Sequence, residues 1–204
     1  MIRCERDGDL WIVTIDRPDK AGALTRDMLL DVAGIAERAQ SAKAMILTGT
    51  GTVFSAGADL EAAKAGLATD PVWERLSAAI AALPGLTIAA LNGTVAGGAL
   101  GMVLACDLRV AVPRTKFFYP VMKLGFLPQP SDPMRMERLI GPARSKMILM
   151  AGQKITADTG HAWGLVDRIA EPPDLMQTAR ELTQDVLAAI ENHAATIKGM
   201  IPAV

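Results

Sequence analysis

Residues 88–107 constrain the fold of this chain more than any other segment. They read IAALNGTVAGGALGMVLACD, so a short β-type run and an Asn-Gly turn are followed by the pair Gly97-Gly98 and a run of small apolar residues. A glycine pair at the start of a helix lets a ligand approach the backbone N–H groups closely. The segment therefore predicts a strand, a turn and a buried helix that begins beside a binding site.

A second small-residue loop lies upstream, at residues 53–60, and reads VFSAGADL. Two loops of this kind can each direct one backbone N–H group at the same oxygen atom. Such a pair of donors is the construction of an oxyanion hole, which stabilises negative charge that develops during a reaction. The alternative is that both loops are simply tight turns, and an isolated glycine pair would favour that alternative.

Further segments accompany these two loops, and together they run through most of the chain. The matching segments are Asp16-Arg17-Pro18, Phe54 to Leu60, Asn92 to Asp107, Lys123-Leu124-Gly125, Leu139-Ile140-Gly141 and Gly164-Leu165-Val166. In this order they resemble the crotonase superfamily, the enoyl-CoA hydratase/isomerase group. The resemblance implies an α/β fold of the ClpP/crotonase type, built as a spiral of ββα units. We expect one domain over residues 1–204, with the spiral in 1–170 and a shortened helical region in 171–204.

The apolar periodicity is also typical of α/β architecture, because strands alternate with helices along the chain. Strands are predicted at residues 10–15, 44–48, 88–91, 108–112 and 165–169. Helices are predicted from Thr25 to Ala39, after Ala58, after the cap Asp70, at 131–140 and from Gly141. Residues 174–198 are predicted to form one long amphipathic helix.

Composition excludes several classes of function. The net charge of −1 argues against a general nucleic-acid or membrane-surface role, and no apolar run is long enough to span a bilayer. The N-terminus lacks the apolar run of a signal peptide, and Cys4 and Cys106 cannot form a disulfide framework, so we expect a cytoplasmic protein. Two isolated histidines without a Cys/His cluster give no sign of a metal site.

The resemblance implies a reaction at an acyl-CoA thioester, whose enolate oxygen would accept the backbone N–H groups of Ala58 and Gly98. Coenzyme A is then expected as part of the substrate or ligand, with no permanently bound cofactor. Its binding is expected along two loops, at Lys20, Ala21, Ala23, Ser55, Ala56, Ala58 and Asp59. The candidate phosphate partners are Arg17, Lys20 and Lys64, each of which is otherwise a solvated surface charge.

Two departures limit the chemistry that the resemblance implies. The hydratases of this group use two glutamates as acid and base, and these positions correspond here to Gly101 and Val121. Neither glycine nor valine transfers a proton. We therefore expect very low ordinary hydratase activity on a scaffold that keeps its oxyanion hole.

Other residues could replace the two glutamates. Asp132 is the best carboxylate candidate, although Ser and Asp also dominate helix N-caps, and a cap formed by Asp132 or by Ser131 is the favoured alternative. Tyr119 could donate a proton, or it could be a core aromatic residue. The remaining polar candidates are expected to face solvent, to be structural or to lie far from both loops: Glu61, Asp107, His161 and His193.

Three functions remain open on this basis. The first is an acyl-CoA-binding member of the enoyl-CoA hydratase/isomerase group that stabilises a thioester enolate. The second is a different reaction, either decarboxylation of a malonyl-type thioester with Tyr119 or water as proton donor, or double-bond isomerisation with Asp132. The third is a non-catalytic acyl-CoA binder, which the loss of both glutamates favours.

The last expectation concerns assembly. Methionine and isoleucine side chains recur in residues 131–151, at Met134, Met136, Met147, Ile148 and Met150. Such apolar side chains are usually buried in a core or between subunits. Members of the group commonly continue into further helices, and this chain ends at Val204. Together with the resemblance, these features favour a homotrimer or homohexamer.

Overall fold

The computed structural model describes residues 1–201 and contains two β-sheets. The larger sheet has six strands in the order β1-β2-β3-β5-β7-β10, and the smaller has four in the order β4-β6-β8-β9. The strands are β1 (Ile2–Asp7), β2 (Leu10–Ile15), β3 (Ala44–Gly49), β4 (Val53–Ser55), β5 (Leu86–Leu91), β6 (Thr94–Ala96), β7 (Leu108–Ala111), β8 (Lys116–Phe118), β9 (Ile155–Thr156) and β10 (Arg168–Ile169).

The helices lie mostly between these strands. They are α1 (Arg26–Arg38), α2 (Leu60–Lys64), α3 (Val72–Ala81), α4 (Ala99–Leu104), α5 (Val121–Leu124), α6 (Asp132–Leu149), α7 (Ala157–Trp163), α8 (Leu175–Glu181), α9 (Gln184–Ala188) and α10 (His193–Met200). None of the helices in residues 1–201 is both long enough and apolar enough to cross a membrane.

The chain winds as a spiral of ββα units, as expected. In three successive pairs, β3 with β4, β5 with β6 and β7 with β8, the first strand joins the larger sheet and the second joins the smaller. Within each sheet these strands pair in parallel, whereas β1 and β9 pair antiparallel with β2 and β8. Because each unit repeats the same step, the loops that follow β4 and β6 lie side by side.

The turn between β5 and β6, in the second of these strand pairs, is tied to the neighbouring pair by one buried side chain. The Asn92 amide donates hydrogen bonds to the carbonyl oxygens of Thr50, Gly51 and Val53, at 3.3, 3.1 and 3.2 Å. This explains the Asn-Gly turn that the sequence shows after β5. The bonds fix the turn between β3 and β4, from which the first site loop begins.

The helix predicted from Thr25 is confirmed, since the Thr25 hydroxyl accepts a hydrogen bond from the Met28 N–H at the start of α1. The junction predicted at Gly141 is also present, as a kink inside α6 where Gly141 has φ +79°. The last strand is shorter than predicted. The N–H groups of Leu165 and Val166 bond to the carbonyl of Gly160 and close α7, so only Arg168 and Ile169 pair with β7.

The single long helix predicted over 174–198 is wrong, because the structure has three short helices there. The first ends where the buried Thr183 hydroxyl donates to the carbonyl of Arg180, at 2.7 Å. The third begins after Asn192, whose φ of +63° interrupts a helix. Lys43 then holds the carbonyls of Leu187 and Ala189, so the second helix is fixed against the sheet.

The apolar side chains of residues 131–151 divide between the core and the surface. Met136 and Ile148 are fully buried in the main core cluster. Met134, Met147 and Met150 are exposed, by 48%, 43% and 63%. Only these three are therefore available for contacts with another molecule.

Candidate active site

The two loops expected to hold coenzyme A are joined to each other by backbone hydrogen bonds. The Ala56 N–H donates to Ala21, and the Leu24 N–H donates to Gly57, at 2.9 and 2.8 Å. The Ser55 hydroxyl, which is fully buried, donates to the carbonyl of Gly22 and accepts from the Gly57 N–H. Ser55 therefore fixes the two loops together, while Ala21, Ala23 and Ala56 keep some exposure.

An ion pair also joins these loops. The Arg17 guanidinium lies 2.9 Å from an Asp59 carboxylate oxygen and donates to the carbonyl of Ala23, also at 2.9 Å. Asp59 in addition accepts from the N–H groups of Glu61 and Ala62 and so caps α2. The bond from Ala62, with the smaller effects of Arg17 and Glu61, lowers the pKa of Asp59. Arg17 and Asp59 thus set the shape of the loop.

The direction of the Ala58 N–H follows from the bonds of its neighbours. The Gly57 carbonyl accepts from the Leu24 N–H, and the Asp59 N–H donates to the Leu24 carbonyl. Successive backbone groups of an extended chain point to opposite sides. The Ala58 N–H therefore points away from Leu24.

The glycine-rich loop after β6 is in contact with the loop that carries Ala58. A Cβ atom on Gly57, which has φ +90°, would come 2.8 Å from the carbonyl oxygen of Ala96. The Gly97 N–H bonds to Phe118, and Gly98 is the N-cap of α4, where backbone N–H groups have no partner within the helix. Both proposed donors, Ala58 and Gly98, are partly exposed.

The indole ring of Trp73 covers one side of this loop. A Cβ atom on Gly98 would lie 3.0 Å from the ring, so any larger residue at that position would displace it. Trp73 is held by the hydrogen bond from its indole N–H to the carbonyl of Leu67, at 2.8 Å. The sequence analysis missed this residue, because its helix carries no motif that marks a site.

Asp132 lies against α4 one helical turn beyond Gly98. Its Oδ1 atom is 2.7 Å from the place that a Cβ atom would take on Gly101. The carboxyl group thus occupies the space next to the position where the resemblance places a glutamate. Asp132 is fully buried, and Oδ1 has no hydrogen-bond partner within residues 1–201.

Asp132 does not cap α6, and Ser131 takes the N-cap position without a side-chain cap bond. Asp132 is the first residue of α6 and its carboxyl group accepts from the Tyr119 hydroxyl, at 3.0 Å, instead of from backbone N–H groups. Ser131 has helical backbone angles, φ −85° and ψ −18°, and makes no side-chain cap bond. A capping residue needs an extended backbone, which Ser131 does not have.

Burial dominates the acid–base properties of Asp132. It raises the pKa of Asp132 to about 7, against the hydrogen bond from Tyr119 and the positive charge of Arg135, and the negative charge of Glu74 acts in the same direction as burial. Burial also raises the pKa of Tyr119, whose hydroxyl accepts from the Gln129 N–H as well as donating to Asp132. At neutral pH the carboxyl group can therefore both accept and release a proton.

Two charged residues near Asp132 were also missed by the sequence analysis. Glu74 on α3 accepts hydrogen bonds from the N–H and the hydroxyl of Ser131, at 3.2 and 2.6 Å. Arg135 is 6% exposed, and its Nη1 atom has no hydrogen-bond partner in the described part of the chain. Helical spacing alone could place Arg135 near Asp132, but it could not bring α3 to the same point.

Comparison with known proteins now decides the family. The sequence profile of the enoyl-CoA hydratase/isomerase family matches residues 5–203. The chain belongs to this family. It is 34% identical to a short-chain-enoyl-CoA hydratase from Clostridium acetobutylicum over 90% of this chain and 74% of that protein. It is 31% identical to 4-chlorobenzoyl coenzyme A dehalogenase-2 from an Arthrobacter species over 98% of this chain and 77% of that protein.

Solved structures of the family have the same fold. The crystal structure of an enoyl-CoA hydratase from Bacillus anthracis superposes with a TM-score of 0.87 at 25% identity, over 97% of this chain and 81% of that one. This agreement confirms the crotonase-like α/β fold that the sequence motifs imply. Relatives named for different activities, a hydratase and a dehalogenase, belong to this one family, so the reaction has to be argued from the site of this chain.

The other candidates lie in structural or exposed places. Asp107 accepts from Thr87 and from Lys198, which fixes α10 to the sheet. Lys64 pairs with the exposed Glu61, and Lys20 is exposed. Val121 is buried at the start of α5. The remaining candidates are His161, which bonds to the carbonyl of Val166, and His193, which begins α10.

No group of three or more potential metal ligands occurs within residues 1–201. Cys4 and Cys106 are both free thiols, and burial raises the pKa of Cys106 to about 12, as expected for a small core residue.

Proposed function

We propose that this family member binds an acyl-CoA thioester and moves a double bond along its acyl chain, with Asp132 as the group that transfers the proton. One observation carries this proposal: the buried Asp132 carboxyl group lies over Gly101, one helical turn from the proposed oxyanion donor Gly98. It supplies a carboxyl group beside the position from which a glutamate is missing.

The joined loops at residues 20–24 and 55–59 support binding of the coenzyme A portion. Their backbone bonds to each other give a fixed edge, and the small side chains at Ala21, Ala23 and Ala56 leave the backbone approachable. Lys20 is exposed at the end of this edge and is the candidate partner for a phosphate group. The family relation supports the same class of ligand, since both relatives named above carry coenzyme A thioesters in their names.

The two N–H groups of Ala58 and Gly98 are proposed to bind the thioester oxygen. When a proton leaves the carbon next to the thioester, negative charge moves onto this oxygen. Backbone donors that are already oriented stabilise that charge without rearranging during the reaction, and the loss of one such donor typically costs about 3 kcal/mol. The contact between Gly57 and Ala96 keeps the two donors on neighbouring loops.

The proton balance of an isomerisation needs only one carboxyl group. The ionised Asp132 takes a proton from C2 of a 3-enoyl thioester, and the electron pair forms a dienolate whose oxygen is bound by the two N–H groups. The protonated Asp132 then returns the proton to C4, which leaves a 2-enoyl thioester. A pKa near neutrality suits both halves of this cycle.

Hydration of a 2-enoyl thioester is less well supported by this site. In the hydratases that the resemblance describes, two carboxylates hold the added water, and here their positions are Gly101 and Val121. Asp132 supplies one carboxylate, while the buried Val121 cannot bind water through its side chain. We therefore propose low hydratase activity.

The experiment that tests this proposal is a panel of thioesters offered to the purified protein. We expect conversion of a 3-enoyl-CoA to the 2-enoyl isomer, and slow or no change of crotonyl-CoA, malonyl-CoA and methylmalonyl-CoA. Turnover of the malonyl thioesters instead would favour decarboxylation. Tight binding measured by calorimetry without any turnover would show a non-catalytic binder and would contradict the proposal.

We further propose that the chain forms a homotrimer or homohexamer, because Met134, Met147 and Met150 expose apolar side chains on one segment. Burial of such side chains between subunits would remove apolar surface from water. Sedimentation at micromolar concentration tests this assembly, and a monomer would contradict it.

We also propose a cytoplasmic location, which the free thiols of Cys4 and Cys106 suit.

A further inference from the structure

The carboxylate of Glu74 contacts the residue that precedes Asp132. Its two oxygens accept from the hydroxyl and from the N–H of Ser131, at 2.6 and 3.2 Å. Glu74 lies on α3 and Ser131 lies immediately before α6, and both helices pack against α4, which carries Gly101. Glu74 therefore joins the start of the helix that bears the proposed proton-transfer group to a second helix of the site.

These contacts decide where Asp132 can lie. Neither Ser131 nor Asp132 caps α6, so the first turn of this helix lacks a side-chain cap of its own. The hydrogen bonds that Ser131 donates to Glu74 hold the start of α6 instead, through a side chain of another helix. Without them, the Asp132 carboxyl group could move away from Gly101, since nothing bonds to its Oδ1 atom within residues 1–201.

The described groups that act electrostatically on Asp132 come from three elements. Tyr119 follows β8, Arg135 lies on α6 and Glu74 lies on α3, while the neighbouring position on α4 is the uncharged Gly101. Of these three groups, Glu74 is the one that both opposes ionisation of Asp132 by its charge and accepts hydrogen bonds from Ser131, the residue before Asp132.

We propose that Glu74 is a positioning residue of this site, which holds Ser131 and thereby keeps the Asp132 carboxyl group over Gly101. The inference rests on the proposed role of Asp132. It adds a residue on α3 that does not contact the reacting atoms, and it makes the acid–base behaviour of Asp132 depend on Glu74.

The test compares Glu74→Gln with Glu74→Ala. Glutamine keeps an oxygen that accepts from Ser131 but removes the charge, whereas alanine removes both. The titration of Asp132 is followed by NMR of protein labelled with ¹³C at its aspartate carboxyl groups, and Asp132→Asn assigns the signal. We expect the midpoint to fall in Glu74→Gln by roughly half a pH unit or more, because a nearby like charge is lost.

Turnover of the active 3-enoyl thioester provides the second measurement. We expect kcat of Glu74→Ala to fall at least about tenfold with KM nearly unchanged, and Glu74→Gln to restore most of kcat with its pH profile displaced to lower pH. Glu37→Gln is the matched control. Glu37 lies on α1 and pairs with Arg75, which follows Glu74 on α3, so this variant removes an ion pair of α3 without touching Ser131.

The outcomes separate this inference from the proposed function. An unchanged Asp132 titration in both Glu74 variants would overturn the role of Glu74, whether or not the protein turns over a thioester. If Asp132→Asn keeps full turnover, the proposed function fails, yet the titration still decides whether Glu74 controls Asp132. A shift of equal size in Glu37→Gln would also overturn the inference, since it would be a general effect of α3.

Discussion

The carboxyl group of Asp132 fills the space into which a side chain at Gly101 would project: its Oδ1 atom lies 2.7 Å from the position of a Cβ atom on Gly101. A side chain at residue 101 and the observed place of Asp132 therefore exclude each other. The glycine at residue 101, where the resemblance places a glutamate, and the burial of Asp132 are in this way two parts of one arrangement.

This relationship predicts a coupling between the two positions. Gly101→Ala should lower the free energy of unfolding by about 1–3 kcal/mol, as overpacking of a tight core does. In the background of Asp132→Gly the same substitution should cost much less, because the space is then free. Chemical denaturation of the four proteins of this cycle measures the difference. Equal costs in both backgrounds would show that the two residues do not compete.

Burial of Asp132 also predicts how stability depends on pH. The pKa is raised from its ordinary value of 3.8 to about 7 in the folded protein. Between these values the folded chain binds a proton that the unfolded chain has released, so the free energy of unfolding decreases as pH rises. From pH 5 to pH 7 this contribution should fall by roughly 2 kcal/mol, because the slope of about 1.4 kcal/mol per pH unit flattens near the folded pKa.

Asp132→Asn is the control for that prediction, because asparagine does not titrate. The difference in unfolding free energy between the original protein and the variant should fall over this interval and become constant above about pH 8. A difference that stays the same from pH 5 to pH 8 would contradict the raised pKa.

The proposed oxyanion donor at Gly98 can be tested with a matched pair of variants. Gly98→Ala and Gly98→Pro both add a Cβ atom that meets the Trp73 ring, but only proline removes the N–H group. We expect kcat of the proline variant to be about 100-fold below that of the alanine variant. Equal kcat values in two folded variants would show that the Gly98 N–H does not bind the thioester oxygen.

The ion pair of Arg17 with Asp59 predicts an effect on binding without an effect on chemistry. Arg17→Gln removes the ion pair between the two loops but leaves their backbone bonds, so coenzyme A should bind several-fold more weakly by calorimetry while kcat at saturation stays nearly unchanged. Arg180→Gln removes an exposed pair with Asp7 elsewhere and is the control. A loss of kcat alone would place Arg17 in the chemical step instead.

Much of the fold could be predicted from the sequence because its signals are local. The Asn-Gly turn, the cap at Thr25 and the break at Gly141 each depend on residues close together in the chain, and each occurs in the structure. The prediction of one long C-terminal helix failed because tertiary contacts determine where the helices of that region end. Burial of Thr183 and the left-handed backbone of Asn192 cannot be read from apolar periodicity.

The candidate site divides in the same way. Motif order predicts Ala58 and Gly98 as donors, and the sequence offers Asp132 as a candidate carboxylate; these roles stay predictions. The contact of Glu74 with the start of α6 could not be predicted from the sequence. Glu74 precedes Asp132 by more than fifty residues, and the two come close only when three helices pack together. N-cap statistics pointed away from its role, since they describe residues whose side chains turn back to their own helix.

The most direct test of the account is the conversion of a 3-enoyl-CoA to its 2-enoyl isomer, followed by the ultraviolet absorbance of the conjugated thioester, for the original protein and for Asp132→Asn. The account predicts turnover by the original protein and a loss of at least about 100-fold in the variant, with thioester binding retained. Undiminished turnover by a folded Asp132→Asn protein, or binding without turnover by the original one, would contradict it.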